Sequence, residues 1–264
     1  RNEMRFYLKH DDKFESISIK VVDGLPVPFL RVIGDDNIDI FRLLMLQRSI
    51  ISVANGLEET TNNFNFLNSY ANISIDYQKL ETVRKWHEEI LEKIKPLRRK
   101  FYEIDEDLLG SYWFRKGVIE IYWLPIVLIS RMLNVSAESL TVVVLTHELA
   151  HAYSHIGFDA DGNQWNTNDF EQTDLLVVEG IAQFYTEVVL KNSEKKNHLL
   201  QDSFIKLCEI QSPIYNEFRK WGNSQRMREV IRDSTRIIRA RRKYDYGYFE
   251  NLIYEQAGRL NIGL

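Results

Sequence analysis

The sequence is poor in the residues that stabilise small secreted domains. Among its 264 residues it has a single cysteine, Cys208, so no disulfide can form within the chain. It has no uninterrupted apolar run of the length that a transmembrane helix needs. Its 34 Lys and Arg residues nearly balance its 38 Asp and Glu residues, so net charge indicates neither a nucleic-acid nor a membrane partner. We therefore expect a soluble globular protein in a reducing compartment, the cytoplasm, although many secreted proteins also lack disulfides.

The chain is long enough for one large domain or two small ones. Residues 5–8, 14–22 and 27–33 alternate between apolar and polar side chains, as strands do. This pattern predicts a small antiparallel sheet that forms an N-terminal β subdomain, residues 1–36. A mostly helical domain of residues 37–264 is expected to follow, which makes the fold class α+β with helices predominant. Since the chain opens at Arg1, a targeting segment or a further domain can precede it.

Helices are expected through most of the remaining chain. Residues 38–55 and 76–102 have helical patterns, and the second is so highly charged that one face should be solvated. After residue 193 the chain is predicted to be helical, with breaks at Gly222, Gly247 and Gly258.

The most specific motif is His147-Glu148-Leu-Ala-His151, an HExxH pattern within a predicted helix of residues 136–156. On a helix this spacing places two imidazoles one turn apart with a carboxylate beside them, which suits a catalytic zinc ion. The helix is apolar on nearly every side, so it should be buried, and polar groups in that position are costly without partners. The alternative is a core helix whose polar groups make ordinary hydrogen bonds.

A second apolar helix carries Glu179, 28 residues after His151 (179 − 151). A catalytic zinc ion needs a third protein ligand and an open position for water, and this carboxylate can supply the ligand. The small Gly180 and Ala182 should let the helix approach the metal helix closely, while Gln183 is placed to hydrogen-bond a ligating histidine. Alternatively, Glu179 lies near the start of its helix because of the helix dipole.

Together, residues 118–190 resemble the gluzincin clan of zinc metallopeptidases, the thermolysin-like enzymes with HExxH on one helix and a glutamate ligand on the next. The resemblance implies a zincin-like domain that binds Zn²⁺ through His147, His151 and Glu179. It also implies peptide hydrolysis by a metal-activated water, with Glu148 as general base. A metzincin pattern is excluded, because Ser154 and Gly157 stand where that clan has glycine and histidine.

Two further features lie on either side of this motif in the sequence. His155 lies too far around the helix from His147 to complete a compact site, so we expect it beside the site or on the surface. Residues 117–125 have strand composition, with Pro125 at the start of a short helix. By resemblance this strand forms the sheet edge that pairs with an extended protein or peptide substrate, although an ordinary core strand is equally compatible with its composition.

The residue that stabilises the oxyanion is not fixed by the motif. Tyr246 and Tyr248, in a tyrosine-rich segment, are the main candidates, and His198 and the nearby arginines remain open. Ordinary packing is the alternative role for each of them.

A basic cluster supports a second hypothesis, a zinc-containing but non-catalytic module that binds an acidic protein or nucleic acid. Solvated faces or internal ion pairs are the simpler interpretation, and we expect neither a nucleic-acid nor a membrane partner. The loop of residues 159–169 matches a calcium-binding loop only in part, so a solvated connection is favoured there. The cluster comprises Arg226, Arg228, Arg232, Arg236, Arg239, Arg241, Arg242 and Lys243.

Overall fold

The structure is a computed structural model. It describes three strands, seven α-helices and one long 3₁₀ helix, so the prediction of a mostly helical α+β protein is confirmed for this part of the chain. The predicted helices of residues 38–55 and 76–102 and the boundary at residue 36 lie outside the described residues, apart from three helical positions, Thr82, Lys85 and Glu89. The described segments are residues 17–29, 108–159, 163–193, 198–222 and 224–262.

The three strands form one mixed sheet in the order β1-β3-β2. Strand β1 (Ser18–Val22) runs parallel to β3 (Val118–Tyr122), with Ser18 opposite Val118. Strand β2 (Gly110–Trp113) runs antiparallel to β3, with Gly110 opposite Ile121. A tight turn joins β2 to β3, and Gly117 takes a positive φ of 62° there. Alternate residues of β3 are buried, which gives the sheet one face toward the helices.

Strand β3 is the central strand, so the prediction that residues 117–125 form the sheet edge is wrong. Both sides of β3 are paired, with β1 on one side and β2 on the other. A substrate strand therefore cannot pair with β3. Among the described residues, the edge strand that contacts the helix of His147 and His151 is β2.

The N-terminal region also differs from its prediction. The described part of it, β1, joins β3 in parallel rather than forming an antiparallel sheet of its own. Residues 27–29, predicted as the start of a strand, are helical. The other predicted strand residues, 5–8, 14–16 and 30–33, lie outside the described residues.

The chain passes from the sheet directly into two consecutive helices. Helix α1 (Trp123–Leu133) begins two residues before Pro125, which therefore lies in its first turn, where its missing N–H costs nothing. Helix α2 (Ala137–His155) starts as predicted at the N-cap Ser136, whose hydroxyl accepts a hydrogen bond from the Ser139 amide.

Helix α2 ends where Gly157 takes a φ of 86°. A Cβ at this position would lie 1.8 Å from the backbone oxygen of Asn163, so the chain can turn back so tightly only with glycine.

Helix α4 (Leu175–Ser193) packs against α2 and against the 3₁₀ helix Pro213–Trp221. Helix α2 also contacts β2, β3, α1 and helix α5 (His198–Cys208), so it lies at the centre of the core. No described helix alone is long and apolar enough to cross a membrane; only α1 and α2 together, bent by 120°, meet that criterion. The remaining helices are α3 (Thr167–Gln172), α5 (His198–Cys208), α6 (Gln225–Arg241) and α7 (Tyr246–Arg259).

Gly180 allows a close approach, but to a different element from the one expected. A Cβ at this position would lie 2.4 Å from Cη2 of Trp221, a large and fully buried side chain of the 3₁₀ helix. The missing side chain therefore makes room for the 3₁₀ helix and not for α2, although α4 packs against both.

Candidate metal centre and active site

Helices α2 and α4 bring the three predicted ligands together in the core. The Nε2 atoms of His147 and His151 lie 3.0 Å apart. The Glu179 Oε2 atom lies 3.1 Å from the first and 3.4 Å from the second. All three side chains are buried. Two imidazole nitrogens and one carboxylate oxygen thus converge on a single point between the two helices.

The dimensions of this triangle fit a zinc ion. Bonds of about 2.0–2.2 Å from a tetrahedral zinc place its ligand atoms roughly 3.3–3.5 Å apart, close to the three distances in the structure. Burial and the neighbouring His151 lower the pKa of His147, which keeps its imidazole neutral. Burial opposes the charge of Glu179, but the two histidines hold its pKa below the ordinary value. A metal ion requires neutral imidazoles and an ionised carboxylate, and the directions of the pKa shifts of His147 and Glu179 agree with that requirement.

Glu148 lies between the ligands and the sheet edge. Its side chain is buried and touches Gly110 of β2, where an added Cβ would come within 3.0 Å of the Glu148 Oε1 atom. The same Cβ would lie 2.8 Å from Cγ1 of Val144 on α2. The absence of a side chain at Gly110 therefore lets the main chain of β2 approach the candidate general base.

A pocket opens beside these residues, with His147 and Glu148 in its wall. It encloses about 640 Å³ of space, the solvent at its mouth included. Most of its lining is apolar and comes from the segment before β2, from α1, α2 and α5, and from the turn after α5. These apolar residues are Leu108, Leu109, Ile129, Val143, Val144, Leu207 and Ile210.

Among the described residues, Tyr215 is the tyrosine that lines this pocket, and no motif in the sequence pointed to it. It belongs to the 3₁₀ helix and is buried, with its ring centroid 6.1 Å from that of His147. The 3₁₀ helix packs against α4, which carries Glu179, and this packing holds Tyr215 at the site. A tyrosine 36 residues beyond Glu179 (215 − 179), outside any motif, gives no local signal of such a role.

The structure does not bring the predicted tyrosines to the pocket. The Tyr246 hydroxyl donates to the carboxylates of Glu217 and Glu250, and the Tyr248 hydroxyl accepts from Arg241. Both tyrosines are therefore engaged at the start of α7. His198, the other named candidate, is exposed at the start of α5 and does not line the pocket either.

Gln183 also departs from its expected role. It lies one turn after Glu179 and lines the pocket, but its Nε2 atom donates to Oε1 of Gln211 at 3.2 Å rather than to a ligating histidine. The competing acceptor Gln211 follows helix α5, and no sequence motif indicates that it lies beside Gln183.

His155 is buried and separate from the three ligands. Its Nδ1 atom is hydrogen-bonded to the Tyr112 hydroxyl at 3.0 Å, and its ring contacts Phe114 and Phe170. Burial, and then the charge of Arg239, lower the pKa of His155 to about 4. It therefore ties the end of α2 to strand β2 as a neutral imidazole.

Arg239 of the basic cluster is paired inside the core. The Arg239 guanidinium donates to Oδ1 of Asp159 at 2.6 Å and to the backbone oxygen of Ser154, and it stacks on Trp165. Burial raises the pKa of Asp159, while Arg239 opposes that change. Asp159 is therefore a buried ion-pair partner, which corrects the prediction that the loop of residues 159–169 is a solvated connection. Residues 160–162 of that loop lie outside the described residues.

Comparisons with protein-family models, with curated proteins and with solved structures gave no significant match.

Proposed function

We propose that this protein is a zinc-dependent peptidase of the gluzincin type, with a zincin-like metal domain. The observation that carries the proposal is the buried triangle of His147, His151 and Glu179 with the carboxylate of Glu148 beside it. A structural zinc site closes its fourth position with a further protein ligand. Among the described residues no fourth His, Cys, Asp or Glu joins this cluster, which leaves room for water and substrate.

Each residue of the site has a chemical reason to be there. His147, His151 and Glu179 would hold the metal, which supplies a Lewis acid that polarises a peptide carbonyl and lowers the pKa of water. Glu148 takes the proton of the attacking water and passes it to the leaving amine. Its buried position beside β2 keeps the carboxylate next to any peptide that lies along this strand.

Strand β2 replaces β3 as the strand proposed to bind substrate. Among the described residues no strand pairs with its outer edge, so its main-chain groups on that side are available to an extended peptide. Gly110 brings the backbone of this edge against Glu148. A peptide added as a further strand there would have its backbone held beside the general base.

Tyr215 is proposed as the hydroxyl donor to the oxyanion that forms during hydrolysis. It lines the same pocket as His147 and Glu148, in contrast to Tyr246 and Tyr248. A donor placed in advance where negative charge develops stabilises the transition state more than the ground state.

The test is hydrolysis of a library of short peptides by the purified protein, with products identified by mass spectrometry. We expect cleavage by the zinc-loaded protein, its loss after treatment with a chelator and its return when about one equivalent of Zn²⁺ is added. A zinc-loaded, folded protein that cleaves no peptide would contradict the proposal. In that case the non-catalytic binding module remains, and charge reversal at the exposed Arg236 tests whether the basic cluster binds an acidic partner.

A further inference from the structure

The wall of the pocket beside the candidate metal ligands includes a buried hydrogen-bond acceptor that lacks a donor. Gln183 is only 2% exposed, and its Nε2 atom is bonded to Gln211, but its Oε1 atom has no hydrogen-bond partner among the residues that the structure describes. Both glutamines line the pocket together with His147 and Glu148. A buried carbonyl oxygen without a donor is unfavourable, so a ligand that donates to it gains binding energy.

The position of this acceptor is fixed relative to the proposed chemistry. Gln183 lies four residues after Glu179 on α4, so the same rigid helix carries the metal ligand and the acceptor. The bond to Gln211 restrains the orientation of the amide. A substrate group that reaches Gln183 is therefore held at a set distance from the scissile bond.

The surrounding walls limit which donor can enter. Among the lining residues that the structure describes, Glu148 is the only charged side chain and is assigned to catalysis, while most of the others are apolar. A lysine ammonium beside Gln183 would lose its hydration without gaining a counter-ion from these residues. A neutral aromatic side chain with a terminal hydroxyl loses little, because its ring packs on the apolar walls and its hydroxyl can donate.

From this combination we infer that Gln183, restrained by Gln211, is a specificity residue that selects substrates with tyrosine beside the scissile bond. This inference rests on the proposed peptidase function and names its substrate class. The tyrosine hydroxyl donates to the Gln183 Oε1 atom while its ring fills the apolar part of the pocket.

An alternative role for the Gln183 Oε1 atom predicts a different effect of substituting Gln183. The Nδ1 atom of His147 is also buried without a partner, and Gln183 could orient this histidine instead of reading substrate. In that case, removing the amide weakens zinc binding and slows all substrates by the same factor. A specificity role changes only the ratio between substrates and leaves zinc affinity intact.

The experiment uses acetyl-Ala-Ala-Xaa-Ala-Ala-amide with tyrosine, phenylalanine, leucine or lysine at Xaa. For the zinc-loaded wild-type protein we expect kcat/KM for the tyrosine peptide to exceed that for the phenylalanine peptide about tenfold, as a single hydrogen bond predicts. The lysine peptide should be the poorest substrate. Mass spectrometry identifies the cleaved bond.

The diagnostic variant is Gln183→Met, which keeps the length of the side chain and removes the acceptor. We expect the tyrosine-to-phenylalanine ratio to fall to about one, with zinc content unchanged. The matched control is Gln201→Met on α5. Its Oε1 atom is also buried without a partner, but it lies in a different pocket, so the wild-type ratio should persist.

Equal cleavage of the tyrosine and phenylalanine peptides by wild-type protein would overturn the inference, as would an unchanged ratio in Gln183→Met. Weaker zinc binding with a uniform loss of rate would assign Gln183 to His147 instead. If wild-type protein cleaves no peptide, the affinities of Glu148→Gln protein for the same peptides decide the question. A tyrosine preference there supports the inference although the proposed function fails, and equal affinities contradict both.

Discussion

At the scale of single residues, His147, Glu148 and His151 could be identified from the sequence because the helix repeat fixes their spacing. His147 and His151 must share a helix face, and that face must be buried when the whole helix is apolar. Glu179 required the further step that a second apolar helix packs against the first. The structure brings these side chains together in the arrangement that the spacing suggested.

Tyr215 and Gln211 could not be found in the same way. Both lie beyond α5, and they reach the pocket only because the 3₁₀ helix and the turn before it fold back onto α4. Such positions depend on long-range packing rather than on a local repeat. The tyrosine-rich segment at residues 244–248 attracted the prediction by composition, whereas Glu217, Glu250 and Arg241 bind two of its hydroxyls.

Replacing Glu148 with glutamine separates chemistry from metal binding. The amide has nearly the same size but cannot take a proton, so kcat should fall by about 10²–10⁴ while zinc content and melting temperature stay near wild type. Steady-state kinetics and zinc analysis on the same preparation measure both quantities. Glu138→Gln, an exposed change in the first turn of α2, is the control and should retain full activity. Wild-type turnover in Glu148→Gln protein would remove this residue from the mechanism.

Tyr215→Phe tests the proposed oxyanion donor. Losing the hydroxyl should lower kcat about 10- to 100-fold with little change in KM or zinc affinity, because the interaction forms mainly in the transition state. Tyr246→Phe is the matched control, since its hydroxyl binds Glu217 and Glu250 away from the pocket. If Tyr246→Phe lost activity and Tyr215→Phe kept it, the assignment would be reversed.

His155 predicts how stability depends on pH. The unfolded chain binds a proton at this histidine near pH 6.5, whereas the folded protein, with a pKa of about 4, does not. The contribution of neutral His155 to the free energy of unfolding is therefore fully present above pH 6.5 and is lost as the pH falls toward 4. After allowance for solvent screening we expect a loss of roughly 1–2 kcal/mol in the free energy of unfolding over this window.

Urea denaturation at several pH values measures this effect, with His155→Gln as the comparison. The variant keeps an acceptor for the Tyr112 hydroxyl but has no proton to gain, so its stability should depend less on pH between 6.5 and 4. Parallel curves for the two proteins would show that His155 does not carry the dependence.

At the scale of elements, the helices were easier to predict than the sheet. Helix α2 begins and ends where Ser136 and Gly157 indicated, because an N-cap and a left-handed glycine are local signals. The pairing partners of β3 are not local, since one of them, β1, lies about 100 residues earlier in the chain. The four-residue β2 is too short to show a clear alternation, so its place at the edge was not predictable.

Gly180 allows α4 to pack closely on the 3₁₀ helix, which carries Tyr215. Gly180→Ala would force a methyl group against the buried Trp221 ring, so the free energy of unfolding should fall by about 1–3 kcal/mol. Gly258→Ala on α7 is the matched control, because an added Cβ there meets no atom within 4 Å. In a helix that change should be neutral or stabilise by up to about 1 kcal/mol. Equal effects of the two changes in thermal or urea denaturation would contradict the close packing.

At the scale of the whole molecule, the described residues form a buried triangle of two histidines and one glutamate between two helices, with a sheet edge on one side and a largely apolar pocket beside it. The basic cluster is not exposed along its whole length, because the Arg239 side chain is buried against Asp159 and Trp165. Truncating Arg239 would leave a buried carboxylate without its partner, so we assign this residue to stability rather than to partner binding.

Anomalous diffraction from crystals of the zinc-loaded protein, recorded on both sides of the zinc absorption edge, tests the central claim most directly. We predict one strong zinc peak per chain, about 2.0–2.2 Å from the two histidine Nε2 atoms and a Glu179 carboxylate oxygen, with a fourth position facing Glu148. A zinc-loaded crystal with no peak between His147, His151 and Glu179, or with a fourth protein ligand closing the site, would contradict this account.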